Sequence, residues 1–294
     1  MGSEVGLLCL VMTSPIEQAD DQAYRACRDK LGLSMKTPRP REIVELIDRM
    51  ERFQYGAVDG PISSQVVAFH DVQETTSVVK RYAREAGADL VGITILKPHH
   101  LYKGQHPQHH YAISLGMRMR LKLLQTAPDL PAAVEVMRVY HDLGEVTLKV
   151  AAFVRNLGYS ALAHHPTGPR KLLHVPVAVD AGLGELGRHD SVIHPELGSS
   201  FRLGTVTTDL PLEVDAPLAV GIADFCTKCT RCVQWCPAGA IPLEKSARRG
   251  LTKFYIDLNR CLPYFLKTEG CGVCIAQCTY TVKAARLLTS GPAD

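Results

Sequence analysis

Apolar residues recur at helical spacing in several separate segments of the chain. The longest segment runs from Pro131 to Leu157, and Gly158 follows it at the position where helices often end on a residue with positive φ. Ser14-Pro15 offers a cap with proline at the first helical position. The predicted helices are Ser14 to Leu31, Arg41 to Phe53, a segment around Val78 to Ala83, Pro131 to Leu157, and Val282 to Leu288.

Short apolar runs rich in β-branched residues lie between these helices. One of them follows the break at Ala86-Gly87-Ala88, and such bounded runs indicate buried strands. The predicted strands are Asp89 to Leu96, Tyr111 to Met117, Tyr159 to Ala163, and Phe201 to Asp209. This order predicts a helical N-terminal leader over residues 1–70, an α/β core over 71–218, and a cysteine-rich domain over 219–294.

The composition is typical of a soluble globular protein, with 46% hydrophobic and 21% charged residues among 294. A net charge of +3 is too small to indicate a nucleic-acid-binding surface. The longest apolar stretch, Val5 to Met12, is far shorter than the roughly 20 residues that span a bilayer, and Glu4 beside it does not suit a signal peptide. We therefore expect a cytoplasmic protein without membrane contact, in which Cys9 and Cys27 are ordinary thiols.

Eight of the ten cysteines fall between Cys226 and Cys278. The first four form C-x2-C-x2-C-x3-C-P, which is the run of bacterial ferredoxins. In that run the first three thiolates hold one 4Fe–4S cube and the fourth reaches a second cube. The predicted ligand sets are therefore crossed, with Cys226, Cys229, Cys232 and Cys278 for cluster A and with Cys236, Cys261, Cys271 and Cys274 for cluster B.

Disulfides and structural zinc are the alternative uses of these cysteines. Disulfides suit a small secreted domain better than a chain of 294 residues without an export signal. Structural zinc is more typical of separate C-x2-C pairs, or of mixed cysteine and histidine, than of a continuous C-x2-C-x2-C. The pattern therefore favours two iron–sulfur clusters.

Gly182, Gly184 and Gly187 form a G-x-G-x-x-G motif, which dinucleotide-binding proteins carry between a strand and a helix. Here residues 175–180 contain a proline, and residues 191–195 are short and strand-like instead of a long helix. A dinucleotide site is therefore disfavoured. We expect a glycine-rich turn whose backbone amides approach another bulky or phosphorylated ligand.

Two polar segments admit either a solvated or a functional role. The proline- and glycine-containing loop after Leu96 lacks fixed ligand geometry, so we expect it to be solvated, with the lining of a pocket as the alternative for one histidine. The basic run near residue 248 is expected to be a solvated loop, with docking of an acidic electron donor as the alternative. The residues concerned are His99, His100, His106, His109 and His110 in the first segment, and Lys245, Arg248 and Arg249 in the second.

Three consecutive motifs resemble those of the cobalamin-dependent reductive dehalogenases and of their relatives, the epoxyqueuosine reductases. They are His174 to Arg188, Phe201 to Leu212, and Asp224-Phe-Cys226 with the ferredoxin run. The likeness covers roughly residues 75–280 and does not include the segment before residue 70. It implies an α+β fold (an α/β sandwich), with a nitroreductase-like corrinoid-binding core followed by a C-terminal two-cluster bacterial ferredoxin-like domain.

The resemblance also implies cofactors and roles. Two 4Fe–4S clusters would pass electrons from a low-potential ferredoxin or flavodoxin to base-off cobalamin, for reductive cleavage or deoxygenation of a small organic substrate. Tyr140, which by spacing alone is a core aromatic, would donate a proton, and Arg202 would support it as the basic partner. The corrinoid contacts implied are Gly182, Gly184, Gly187, Arg188, Ser199 and Ser200.

The sequence also departs from both families. Val139-Tyr140-His141 replaces the Asp-Tyr-His motif of the epoxyqueuosine reductases, so their acid is missing. The sixteen residues after Cys278 leave no room for the extension with which those enzymes hold tRNA, and the twin-arginine signal of respiratory dehalogenases is absent. Two alternatives stay open: an electron-transfer or corrinoid-handling protein that serves a partner, and a tRNA epoxyqueuosine reductase-like enzyme.

Overall fold

A computed structural model describes residues 39–102, 104–168, 171–248 and 251–289. The helix predicted from Ser14 to Leu31 lies outside these residues, as do Cys9 and Cys27. The other predicted helices and strands are confirmed, with small differences at their ends. The elements before residue 210 are α1 (Arg41–Phe53), α2 (Val72–Glu85), β1 (Leu90–Ile95), β2 (Tyr111–Arg118), α3 (Leu121–Leu124), α4 (Leu130–Asn156), β3 (Ala161–His164), α5 (His174–Asp180), β4 (Glu185–Leu186), β5 (Val192–Ile193) and β6 (Phe201–Thr208).

Four antiparallel strands form the main sheet in the order β1-β2-β6-β3. Their registers place Ile93, Ile113, Val206 and Ala163 in one row across the sheet. All four side chains are buried in the main apolar core. Because side chains alternate between the faces of a strand, this row marks the face of the sheet that the long helix α4 covers.

Helix α4 crosses the sheet with its apolar stripe facing inward, and Leu143, Val150 and Val154 on that stripe are fully buried. Gly204 of β6 lets the helix approach closely, since a Cβ there would collide with the hydroxyl of Thr147. The helix ends as predicted, because Gly158 follows it with a φ of +91°. The packing therefore fixes which α4 residues face β6.

Helix α1 and the segment after it pack on the outer side of α4. Ile43 and Met50 are buried, and the amide of Gln54 donates to the carbonyl of His141 on α4. Gly144 permits this approach, since a Cβ there would overlap the side chains of Gln54 and His165. Residues 41–67 thus extend the core, with further backbone bonds to the end of α4 and to β3.

The opposite face of the sheet carries α5, whose first turn contains the proline that argued against a strand. The glycine motif therefore follows a helix and leads into the two-stranded β4–β5 hairpin. This geometry differs from the strand–turn–helix of a dinucleotide site, in agreement with the sequence prediction.

The cysteine-rich part consists of short helices and one small hairpin. It is joined to the core where Ile193 of β5 packs against Ile222, Cys226 and Cys278. Ser246–Arg248, in the segment predicted as a solvated basic loop, form one strand of that hairpin. Arg249 lies outside the described residues. The elements are α6 (Ile222–Lys228), α7 (Arg231–Trp235), β7 (Ser246–Arg248), β8 (Leu251–Lys253), α8 (Leu258–Lys267), α9 (Val273–Ala276) and α10 (Thr279–Thr289).

Among the described residues, no helix combines the length and the apolarity that crossing a membrane requires.

Candidate active site and metal centres

The eight cysteines come together as the two crossed groups that their spacing predicts. Cys226, Cys229, Cys232 and Cys278 line one small cavity at the junction with the core. After burial, charge repulsion from Cys236 and Cys271 raises the thiol pKa of both Cys261 and Cys274, which places these four in a second group. All eight are free thiols, and the second group is Cys236, Cys261, Cys271 and Cys274.

The electrostatics of these thiols fit iron–sulfur clusters. Burial, followed by the repulsion of neighbouring cysteines, raises the pKa of Cys232 to about 12 and that of Cys261 to about 11. The same two causes raise the pKa of Cys274 to about 12. Four thiolates cannot be ionised together in such a site unless cations neutralise them, and iron does this by direct coordination. The donor sets therefore suit two cubes with four cysteine ligands each.

The core holds the first cysteine group through the β4–β5 hairpin. The carboxylate of Glu185 accepts hydrogen bonds from the backbone N–H groups of Val220, Ile222 and Ala223, at the start of the helix that carries Cys226. Burial alone would raise the pKa of Glu185, but these bonds outweigh it and lower the pKa below its ordinary value. The carboxylate thus fixes the helix α6 against the hairpin.

Arg188, at the turn of the same hairpin, binds the cysteine loop. Its side chain is 1% exposed, and its guanidinium packs 4.0 Å over the ring of Phe254. Its nitrogens donate at 2.6 to 3.1 Å to five backbone carbonyls, those of Cys226, Thr227, Cys229, Pro242 and Leu243. All three guanidinium nitrogens thus donate to backbone carbonyls between Cys226 and Leu243, and the corrinoid contact of Arg188 stays a prediction.

The three glycines of the motif are packed against the protein itself. A Cβ at Gly182 would lie 2.5 Å from the carbonyl oxygen of Ala216. One at Gly184 would meet the carbonyl of Ile193, and one at Gly187 would meet the side chain of Ile193. Close contact within the protein thus requires glycine at these positions, and the approach of the turn to a bulky or phosphorylated ligand stays a prediction.

Ser199 and Ser200 are also engaged within the protein. Both are 1% exposed, and their hydroxyls donate to the carbonyls of Val192 and Leu197. The N–H of Ser199 donates to the hydroxyl of Thr281 in α10. The two hydroxyls thus bond within the core, and the N–H of Ser199 ties the segment before β6 to α10, while the corrinoid contacts of both serines stay predictions.

Tyr140 and Arg202, the predicted catalytic pair, are brought together from α4 and β6. The guanidinium carbon of Arg202 lies 5.3 Å from the centroid of the Tyr140 ring. The Nε atom of Arg202 is buried and has no hydrogen-bond partner in the described part of the chain. Both residues are half-buried. The contact is thus a cation–π arrangement, with the guanidinium group over the ring of the tyrosine.

Tyr140 of this pair shares an apolar cluster with a member of the second cysteine group. The tyrosine packs on a cluster that contains Met119 and Val139 of the core and Ile275 of α9. Cys274, a predicted ligand of cluster B, packs on this cluster as well. Tyr140 and Cys274 are therefore linked through one set of apolar side chains.

An ion-pair network on the turn of α4 before Tyr140 was missed from the sequence. Glu135 is fully buried and accepts hydrogen bonds from Arg120 and Arg138, while Arg138 also reaches Asp142. Burial would raise the pKa of Glu135, but the two arginines outweigh it and hold the pKa low. The spacing of Glu135, Arg138 and Asp142 at three and four residues was the available signal.

The histidine-rich loop is less solvated than predicted. His100 is fully buried and bonds Asp180, and half-buried His109 bridges the hydroxyls of Thr207 and Ser160. His106 lines a small cavity, which was the alternative prediction for one histidine. Side-chain partners far away along the chain explain the difference, because they replace water at the imidazole nitrogens.

His99, His100 and Asp180 place three possible metal ligands within 4.8 Å of one another. The hydrogen bonds favour a different role. The N–H of Lys97 donates to Nδ1 of His100, so the ring proton is on Nε2, the atom that faces Asp180. Lys97 also brings its ammonium group to the same carboxylate oxygen at 2.8 Å. Lys97, His99 and His100 are therefore arranged as hydrogen-bond donors around the carboxylate of Asp180, and the two histidines do not offer their lone pairs to a cation.

The lowered pKa values of three buried histidines predict a marked loss of stability in mild acid. Burial, followed by nearby cationic histidines, lowers the pKa of His164 and of His165 to about 3 and that of His100 to about 4. Unfolded histidine titrates near 6.5, so the unfolded state alone gains protons as the pH falls from about 6.5 towards 4. Stability is complete above that window, and each histidine removes about 2 kcal/mol by pH 5.

Anaerobic unfolding in guanidinium between pH 7 and pH 5 measures the slope of the free energy of unfolding against pH. This slope is set by the difference in bound protons between the unfolded and folded states, and in the His165→Gln variant that difference should be smaller by about one. The His70→Gln variant is the control, because the imidazole that it removes is 90% exposed. A stability that is flat down to pH 5 would contradict the prediction.

Residues 225–282 match the family profile described as a 4Fe-4S dicluster domain, which confirms the C-terminal ferredoxin-like domain. The chain is 35% identical over 188 residues to the tetrachloroethene reductive dehalogenase of Dehalobacter restrictus (strain DSM 9455 / PER-K23), covering 58% of this chain and 34% of that protein. It is 37% identical over 117 residues to the epoxyqueuosine reductase of Escherichia coli (strain K12), covering 37% of this chain and 30% of that protein.

A solved reductive dehalogenase, described as suggesting a mechanism for B12-dependent dehalogenation, has the same architecture. It superimposes with a TM-score of 0.73 at 28% identity, covering 84% of this chain and 38% of that one. The resemblance to reductive dehalogenases and epoxyqueuosine reductases is thus confirmed, as is the α+β fold. The chain spans about a third of the length of the curated relatives it matches, and these relatives are reductases.

Proposed function

We propose that this protein is a cytoplasmic iron–sulfur reductase that acts on a small organic molecule, by dehalogenation or deoxygenation. Two 4Fe–4S clusters would receive electrons from a low-potential ferredoxin or flavodoxin. The observation that carries the proposal is the Tyr140–Arg202 pair, whose tyrosine packs on the apolar cluster that also packs against Cys274. In this proposal Tyr140 would be the proton donor, Arg202 the fixed cation, and cluster B the source of electrons.

Cobalamin comes to this proposal from the B12-dependent relative, and its fit to the described residues is partial. The buried, unpartnered Nε of Arg202 is a donor that still lacks an acceptor. The glycines, serines and Arg188 that the sequence assigned to the corrinoid are engaged within the protein. Tyr140 and Arg202 are therefore the side chains that we place towards the corrinoid and the substrate.

The roles of the two residues follow from their chemistry. When bound, cobalamin would supply low-valent cobalt that delivers electrons to the substrate bond. The hydroxyl of Tyr140 would protonate the carbon or oxygen left as that bond breaks. The guanidinium of Arg202, which is permanently charged, would stabilise the resulting phenolate and any departing anion.

The spectrum of the anaerobically purified protein, with and without added cobalamin, tests this proposal. We expect cluster absorption, additional corrinoid bands after reconstitution, and chloride release from tetrachloroethene with a low-potential reductant. Tetrachloroethene is the substrate in the name of the Dehalobacter relative. Clusters and corrinoid without any reductive turnover across halogenated and epoxide substrates would overturn the assignment as an enzyme.

An electron-transfer protein that serves a partner is the second candidate. The internal engagement of Arg188, Ser199 and Ser200 favours it, because it leaves few of the predicted groups for a corrinoid. Cluster absorption without corrinoid uptake, together with rapid electron exchange with another protein, would support this candidate over the first.

A further inference from the structure

His189, which the proposed function does not use, lies at the turn of the β4–β5 hairpin. It is 7% exposed, and both of its ring nitrogens are buried without a hydrogen-bond partner among the described residues. A buried polar group without a partner destabilises a protein, and native structures leave few of them. The imidazole therefore requires a partner that the polypeptide does not provide.

The surroundings of the ring identify that partner. His189 lines the same small cavity as the four cysteines of cluster A, together with apolar parts of Ile193, Phe225 and Tyr280. Arg188 and Arg231 also reach this cavity, but both donate to backbone or side-chain oxygens of the protein. A cube bound by the four thiolates would present its sulfurs at the imidazole.

An imidazole has the donor that such a contact needs, because at least one of its two ring nitrogens carries an N–H. The sulfurs of a four-thiolate cube carry negative charge and accept hydrogen bonds. Donors to these sulfurs are among the features that set the reduction potential of a cluster.

The hairpin holds the ring in place. A Cβ at Gly187 would lie 3.0 Å from Cε1 of His189 and closer still to Ile193, so only glycine leaves room for the ring. On the other side Asp190 adopts a positive φ of 59° and pairs with Lys253 of β8. These contacts therefore position the donor.

We propose that His189 donates an N–H hydrogen bond to a sulfur of cluster A and raises the reduction potential of that cluster. The reduced cube is more negative than the oxidised one, so the bond is stronger in the reduced state. His189 is a positioning and tuning residue, and the iron remains bound by cysteine alone. The inference rests on the iron–sulfur part of the proposed function and is independent of cobalamin and of the substrate.

Redox titration of the holoprotein, followed by electron paramagnetic resonance, tests the effect on the potential. In the His189→Phe variant, which keeps the volume and removes the donor, we expect one of the two midpoints to fall. A tenfold smaller ratio of reduced to oxidised cluster corresponds to a shift of 59 mV for a one-electron couple. The His194→Asn variant is the matched control, because His194 accepts backbone N–H groups of its own loop and should leave both midpoints unchanged.

A measurement on the unmutated chain covers the case in which His189→Phe loses its cluster. Protein labelled with ¹⁵N in histidine alone should show nitrogen coupling to a reduced cluster in pulsed resonance spectra, and His194→Asn should retain it. Unchanged midpoints in His189→Phe at full iron content, or an unmutated protein with both clusters and no such coupling, would overturn the inference. Neither result depends on turnover, so the reductase proposal is tested separately.

Discussion

Replacement of Tyr140 by phenylalanine is expected to lower reductive turnover by about 10²- to 10⁴-fold, the range over which a positioned general acid contributes to catalysis. The ring would still pack on the apolar cluster that it shares with Cys274, so fold and iron content should be unchanged. The variant would lose only the hydroxyl group of Tyr140 and the proton that it donates. We expect kcat to fall with little change in KM, because the hydroxyl acts while the substrate bond breaks.

The matched control is Tyr82→Phe. The ring of Tyr82 stacks on Phe153 at 3.9 Å, within the packing between α2 and α4, and its hydroxyl has no role in the proposed reaction. This variant should keep its turnover within about twofold if the effect is specific to the site. Full turnover by Tyr140→Phe, with both clusters present, would exclude Tyr140 as the proton donor and leave Arg202 to be explained as packing.

Much of the core was predictable because its elements have strong apolar periodicity. The stripe of α4 and the runs of β1 and β6 identify their own buried faces, and Gly158 marks the end of the helix. Helix α5 was less evident, since it has seven residues and a proline in its first turn. Its helical form depends on packing against the sheet at Gly92, where a Cβ would overlap the carbonyl of Ala181.

The candidate site was predictable where spacing dictates chemistry and not where tertiary contacts decide. Spacing alone grouped the cysteines, because a cube needs its ligands at short, fixed intervals. Spacing could not show which side of the glycine-rich turn faces ligand and which faces protein. For the same reason the loop histidines looked solvated, although Asp180 lies about 80 residues from His100 and completes its hydrogen bonds.

The hairpin that carries the glycine motif connects the core to cluster A. Along its few residues Glu185 holds the helix of Cys226, Arg188 gathers the cysteine loop, and His189 faces the cluster cavity. Ser199 and Gly198, at the start of β6, contact Thr281 beyond the last cysteine. The core and the ferredoxin-like part are thus joined by direct contacts, and a substitution in the β4–β5 hairpin should alter cluster A.

Arg188→Met is the variant that we expect to affect the metal centres most strongly. Methionine fills part of the space but leaves five backbone carbonyls without the donor that they have in Arg188, and a hydrogen bond to a charged group contributes about 1.5 to 3 kcal/mol. The segment that carries Cys226 and Cys229 should lose its fixed conformation, and cluster A should be lost or become labile. Cluster B should be affected less, because three of its four cysteines, Cys261, Cys271 and Cys274, lie outside the segment that Arg188 binds.

Iron and acid-labile sulfide per chain, with the rate of cluster loss to a chelator, measure this effect under anaerobic conditions. We expect about half of the iron to be missing or rapidly lost in Arg188→Met. Arg188→Lys should be only partly better, since an ammonium keeps the charge but cannot reach five carbonyls as a planar fork does. Arg81→Met removes an arginine that is 67% exposed and should behave as the unmutated protein. Arg188→Met with full iron and unchanged chelator resistance would show that the cysteines alone hold this loop, because the carbonyls would then have found water.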